Sequence, residues 1–466
     1  MTKFFKSNKY ACITSAIVLI VMILTLFCLK LGVADNGNLT PRLVSMGLYD
    51  AQGASGTGYY STGFGVADKH FSFMPKDLVY SFVKLFFKVD TVIPTALPAL
   101  IYMIFAVWGV FMIVKALTTE MKWNNIILCV LTILIVADTG YVSYFNTPFE
   151  CGAAIAYFIP MMGALLMSIR YEKIKDIVLF AIFGILFAGT MPQTGAVGVV
   201  VSLFAFYFVF KQKKALNKVL FSVVGILIIL SSIFSLNIMT DGDKYNSVFY
   251  GVASSDNSAC TAVLSDLKII GKDELCGKTY FEEEAQAFIN SPEFDSVMSN
   301  VNPANILKMY TKNSRYMKDA LKSAGNNSMF IKTEYLGNYP GSSGKPSMIS
   351  GFFSLYSNVK KSLVPGNIVV LLAIFAFIVF FALDYKKKYA LQDSTKNTCV
   401  LCVFMSVAAL ISLMVPVIYY GLAQIGFNLI IYNLIFDFLV GASVVGGTKL
   451  LTVRRNILRE KFGVNQ

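Results

Sequence analysis

Acidic side chains are scarce here, 27 Asp and Glu in 466 residues, and three of them fall where apolar runs end. Asp35 follows the first long apolar run, and Asp138 lies near the end of the third. Glu150 follows Asn146-Thr147-Pro148-Phe149 and opens the fourth. The three share one depth on one side of a membrane. Carboxylates at that depth are costly and are usually functional or paired. An ionised one within reach of a hydroxyl can take its proton. Arg42 follows Asp35 by seven residues and shares its face if the stretch is helical. Its guanidinium suits a phosphate, with Lys69 or His70 of the same loop as second cation. Plainer readings stand beside these. Asp35 can be a helix N-cap, and Asp138 can pair with a neighbouring Lys or Tyr. His70 can be a surface residue. Asn433 and Asp437, four apart, read as a structural polar pair. Gly53 to Gly65 lacks a phosphate-loop pattern and reads as flexible loop. Cys399-x-x-Cys402 sits inside an apolar run, which argues against zinc or redox chemistry.

The elements that must position these residues follow from composition. Hydrophobic residues make up 56% and charged residues 14%, with a mean hydropathy of +0.63. A soluble domain carries about 25% charged residues. A soluble enzyme, a disordered chain and a nucleic-acid-binding arm are excluded, and an all-α polytopic membrane protein is expected. About ten apolar runs are long enough to span: 10–34, 92–116, 124–144, 151–170, 176–190, 193–211, 217–239, 367–384, 397–421 and 424–447. The fifth and sixth meet at Met191-Pro192-Gln193, a turn or a kink. The first is too long for a signal peptide and reads as a retained helix.

Lys and Arg gather in alternate loops, which places both chain ends in the cytoplasm. The net charge of +13 is then a topology signal and implies no polyanionic partner. The chain divides into a first span (1–34), an external loop (35–91), a membrane core (92–239), a small extracytoplasmic domain (240–366) and C-terminal spans with a basic tail (367–466). Within the loop, residues 76–89 have helical spacing with Leu78, Phe82, Leu85 and Phe86 on one face, an amphipathic helix on the bilayer surface. In the external domain, Pro292 and Pro303 open helices at 292–300 and 303–324. Cys260 and Cys276 there are either bridged or both reduced.

This layout resembles the GT-C glycosyltransferases. More closely, it is similar to a bacterial family of glycan-biosynthesis hexose transferases associated with S-layer and cell-wall glycans. The matching stretches are Ala34-Asp35-Asn36-Gly37-Asn38, Tyr144-Phe145-Asn146-Thr147-Pro148-Phe149-Glu150, Met191-Pro192-Gln193, Tyr245-Asn246-Ser247-Val248-Phe249-Tyr250-Gly251-Val252 and Tyr335-Leu336-Gly337-Asn338-Tyr339. The resemblance implies inverting transfer of a hexose from a polyprenyl-phosphate donor to a glycan acceptor at the extracytoplasmic face of a bacterial membrane. It implies Asp35 as base, Glu150 or Asp138 on acceptor hydroxyls or supporting Asp35, and Arg42 with Lys69 or His70 on the phosphate. Tyr144, Asn146 and Gln193 would line the site, and Tyr245, Asn246 and Asn338 would cover it. Asn38 stands where the family pattern has a second acid, so no metal cofactor is expected. The alternatives are a transporter or flippase for a lipid-linked glycan, using Asp138 and Asp437, or an oligosaccharide ligase or polymerase.

Overall fold

The computed structural model describes residues 2–35, 37, 39–51, 60–253, 257–312, 314–332, 336–340 and 349–462. Asn36, Asn38, Tyr335, most of the glycine-rich loop and Gly341-Ser342-Ser343-Gly344 lie outside the described residues. Each apolar run forms a helix: α1 (Lys9–Cys28), α2 (Ala96–Leu117), α3 (Lys122–Val136), α4 (Glu150–Tyr171), α5 (Ile174–Ala188), α6 (Pro192–Val209), α7 (Ala215–Leu236), α8 (Ile368–Lys388), α9 (Asp393–Tyr420) and α10 (Ile430–Phe462). The chain is an all-α polytopic membrane protein with little sheet.

Two helices depart from the expected ten spans. Eight are long and apolar enough to cross by themselves. α3 stops at Val136 and continues as Thr139–Asn146 after a 45° bend, giving a ninth span if the pair counts as one. The bend sits at Asp138, whose carboxylate caps the second piece by accepting from Gly140 N at 2.8 Å. α5 has 15 residues, about 22 Å, short of a hydrocarbon core of about 30 Å.

α4 is the centre of the bundle, with its whole apolar window buried, and it packs on α2, α5, α9 and α10. α7 and α8 are peripheral. Their exposed Val219, Leu230, Val369 and Phe380 present apolar surface, as lipid contact requires. Consecutive helices alternate in direction, so the described residues of 29–95, 137–150, 189–191, 237–367 and 421–429 collect at one end. That end is called the carboxylate end below.

Two segments cover it. In the first, a short helix (Leu39–Ser45) leads into a three-stranded antiparallel sheet of Leu48–Asp50, Gly63–Val66 and Val92–Pro94. The strand Gly63–Val66 corrects the expectation of flexible loop for residues 63–65. The surface helix forms over Leu78–Lys84, shorter than expected. Phe73, at 84% exposure, Phe82, Leu85 and Phe86 stand outward, while Val79, Tyr80 and Val83 are buried. Such an apolar face suits the headgroup boundary. The second segment holds helices Asp241–Ser247, Asn257–Asp266, Glu283–Ile289, Pro303–Lys312, Ser314–Asn327 and Leu355–Leu363. Cys260 and Cys276 form a disulfide within it, with Cα atoms 6.3 Å apart. Gly32–Val33 pairs with Leu336–Asn338, so the second segment closes back onto the start of the first.

Candidate active site

Glu150 lies in the first turn of α4, where the helix N-terminus favours negative charge. Its side chain is 32% exposed, and Arg42 Nε stands 3.6 Å from Oε2. Arg42 comes from the Leu39–Ser45 helix and is itself buried. Its Nη1 pairs with Asp77 Oδ1 at 2.5 Å. Its Nε donates to Pro148 O at 3.0 Å and its Nη2 to Lys76 O at 3.1 Å. The guanidinium therefore clamps the chain before α4 to the turn before the surface helix. Tyr157 of α4 adds a second tie, donating to Pro75 O at 3.1 Å. Arg42 is committed to these partners, so Lys76 is the more available cation for a phosphate.

Asp243 completes the group. It is the third residue of the Asp241–Ser247 helix and forms a capping box with Thr240: Thr240 N donates to Oδ2 at 2.9 Å, and Asp243 N donates to Thr240 Oγ1 at 3.2 Å. Burial pushes its carboxyl up to about 6; the Thr240 bonds oppose this, the Glu150 charge adds to it, and Lys76 opposes it. Tyr420, the last residue of α9, lies in the field of both Asp243 and Glu150. The chain then turns at Gly421, φ +62°, where an added Cβ would collide with Asn246 O. Leu422 N donates to Tyr250 O at 3.0 Å, so the end of α9 is fixed against the helix carrying Asp243.

Asp35 itself bonds only within its own loop, and that loop packs on the second segment. Gly37 packs on Phe281, and Tyr280 beside it packs on Gly242, next to Asp243. Asp35 Oδ1 accepts from Gly37 N at 2.7 Å and Leu39 N at 3.2 Å, so it caps the helix that carries Arg42. Burial raises its pKa above the usual carboxylate range, the two amides oppose this, and the Asp50 charge adds to it. Cap and candidate base coexist in one side chain.

The remaining expected residues divide. Tyr144 and Phe149 both pack on Phe427, at 5.6 Å between ring centroids, forming a floor beside Glu150. Gln193 in the first turn of α6 donates to Asn428 O at 2.9 Å. Asn146 Nδ2 donates to Leu26 O and Leu31 O, both at 2.9 Å, and pins the end of α1. Asn338 is fully buried, and neither amide atom has a hydrogen-bond partner among the described residues. Tyr245 and Asn246 lie in the Asp241–Ser247 helix of the second segment. Tyr245 packs on Phe249, and Asn246 Oδ1 accepts from Tyr280 N at 2.9 Å, so both help position the Asp243 helix.

Five residues stand apart from the Glu150 group. Asp138 is fully buried and accepts from Gly140 N and Ser357 N, at 2.8 and 3.0 Å, with Lys332 as its nearby charge. None of these partners is shared with Glu150, because the break in α3 turns the carboxylate toward the Leu355–Leu363 helix. Lys69 is exposed and donates to Lys84 O at 3.0 Å. His70 is exposed too, with its backbone N on Asp68 Oδ1. Asp437 and Asn433 both bind Lys360 Nζ at 2.6 Å, and Tyr141 donates to Asp437 at 2.5 Å, a closed buried network.

Sequence reasoning missed Lys76, Asp77 and Asp243. Asp243 had a signal: Thr240-x-x-Asp243 is a capping box at the exit of an apolar run, the placement that singled out Asp35 and Glu150. Among the described residues no three of His, Cys, Asp and Glu are grouped to hold a metal ion.

A family model described as the YfdI N-terminal transmembrane domain matches residues 1–462. No curated protein matches the chain.

Proposed function

The chain belongs to the YfdI N-terminal transmembrane domain family, and from that premise we propose that it is an inverting hexosyltransferase. It moves a hexose from a polyprenyl-phosphate-linked donor to a cell-surface glycan at the extracytoplasmic face. A family of membrane domains is consistent with glycan modification at a membrane. The single observation that carries the reading is the grouping of Glu150 and Asp243 with Lys76 and Arg42 at the end of a fully buried helix.

In this mechanism the donor keeps its polyprenyl tail in the bilayer and presents its phosphate to the carboxylate end. The acceptor hydroxyl oxygen forms a bond to the anomeric carbon while the bond from that carbon to the phosphate oxygen breaks. The hydroxyl proton goes to Asp35, and the electron pair leaves with polyprenyl phosphate. Lys76 offsets the growing phosphate charge, and Arg42 holds Glu150 and Asp77 in place. Glu150 and Asp243 accept from acceptor hydroxyls. The apolar surface around Phe73 and Phe86 rests on the membrane where the lipid enters. Both chain ends are cytoplasmic, and the carboxylate end is outside.

Purified protein in nanodiscs, given a polyprenyl-phosphate hexose and a glycan acceptor, should release polyprenyl phosphate and extend the acceptor. Movement of an intact lipid-linked sugar across sealed vesicles, with no release, would replace this reading with transport. Asp138 and Asp437 give transport little support, since both are held in internal bonds.

A further inference from the structure

A cavity of about 1060 Å³ lies at the other end of the bundle, walled by α2, α3, α4, α8, α9 and α10. It exceeds the usual range of ligand pockets, about 300–1,000 Å³. Met162, Leu166 and Arg170 line it from α4. They are four residues apart, so one stripe runs about 12 Å from mid-helix to the last turn. Arg170 lies about 30 Å along α4 from Glu150, which places the cavity at the opposite face of the membrane from the transfer site.

The wall chemistry changes along that direction. Ile378 and Met405 line the deep part, and Tyr385 and Thr398, each about two turns further on the same helices, line the mouth with Arg170 and Lys449. The two cations lie close enough that Arg170 repels Lys449. Arg170 Nη1 donates to Ala116 O at 2.5 Å and Thr118 O at 2.6 Å, which aims the guanidinium across the end of α2. Glu120 also lines the mouth, but among the described residues no carboxylate lies within 4.0 Å of either cation. Arg170 is exposed and Lys449 half-buried, so two cations at the rim of an apolar cavity present a site that favours an anion between them.

We propose that this cavity binds one anionic lipid, with its phosphate between Arg170 and Lys449 and its chains against Met162, Leu166, Ile378 and Met405. The inference is independent of the transfer reading, because none of these residues belongs to the carboxylate end. A lipid there would fill the space between α3, α8, α9 and α10 and balance the rim charge.

The test is native mass spectrometry of the full chain in neutral detergent with phosphatidylglycerol or phosphatidylcholine of equal chain length. One phosphatidylglycerol should be retained at about tenfold lower concentration than phosphatidylcholine. Lys449→Gln should abolish that preference. Gly441→Leu should prevent retention of either lipid; Gly441 lines the cavity, and a Cβ there meets only Ile135 Cδ1 at 3.4 Å, so the added side chain enters open space. Should Lys449→Gln fail to fold, Gly441→Leu carries the test. Equal retention of the two lipids, an unchanged preference in Lys449→Gln, or full retention in Gly441→Leu would overturn the proposal. So would displacement of the lipid by millimolar inorganic phosphate, which would leave an anion site without a lipid.

Discussion

Asp243 should cost the protein stability, and removing its charge should return it. Folded, this carboxyl titrates at about 6, against 3.8 for an ordinary Asp. Between those values the folded chain binds the extra proton. Stability therefore falls as pH rises from about 4 to about 6 and stays lowered above. At about 1.4 kcal/mol per pH unit the full cost is about 3 kcal/mol at pH 8 and about half of that at pH 5. Asp243 is only half-buried, so screening by water leaves an expected net cost of about 1–2 kcal/mol at pH 8. Asp243→Asn cannot ionise, yet it keeps an oxygen for the Thr240 amide. It should raise the unfolding temperature in detergent by a few °C at pH 8 and by about half as much at pH 5. The same variant should transfer sugar poorly, since a carboxylate kept at a cost in stability is expected at a working site. An equal change at both pH values would refute the reasoning. So would a loss of stability that grows with pH, which would mean that Lys76 holds Asp243 ionised.

Three further outcomes follow from the same geometry. Arg42→Met leaves the Asp77 carboxylate buried without its cation and should cost about 3–5 kcal/mol, seen as a collapse of detergent-stable yield; adding Asp77→Leu should recover most of it. Gly421→Ala places a Cβ against Asn246 O at a φ of +62°, and should lower stability by at least about 2 kcal/mol and loosen the α9 end beside Asp243, measured as thermal unfolding and as loss of transfer. A peptide tag inserted at Gly271, where an added side chain meets nothing, should be reachable from outside intact cells; reach only after the membrane is opened would reverse the proposed orientation.

The membrane architecture was legible because burial in lipid demands long apolar runs, and each of the ten runs became a helix. The break in α3 was not, since Asp138 read as a site acid or as the partner of a neighbouring Lys or Tyr, and the Gly140 and Ser357 amides bind it instead. The three-stranded sheet was hidden for a different reason. Its strands are three or four residues long, too short for an alternating pattern to rise above the loop. At the site, Arg42 and Glu150 were named from sequence and meet in space. Asp77 and Lys76 escaped because Pro75-Lys76-Asp77 reads locally as the cap of a surface helix. Only tertiary packing shows the Asp77 carboxylate inside, bound to a guanidinium 35 residues earlier in the chain. Asn433 and Asp437 looked like a pair by themselves, and their shared partner Lys360 is 73 and 77 residues away.

The central claim is that a carboxylate at this end of the bundle takes the acceptor proton as a hexose leaves its lipid phosphate. The most direct measurement is sugar transfer from a polyprenyl-phosphate hexose by purified wild type and Asp35→Asn, with donor binding followed in the same samples. Asn keeps the shape of the cap and can still accept from the Gly37 and Leu39 amides, while the basic oxygen is gone. Donor binding should persist and transfer should fall about 10²–10⁴-fold. Near-normal transfer by Asp35→Asn would contradict the account, reduce Asp35 to a helix cap and pass the role of base to Asp243 or Glu150.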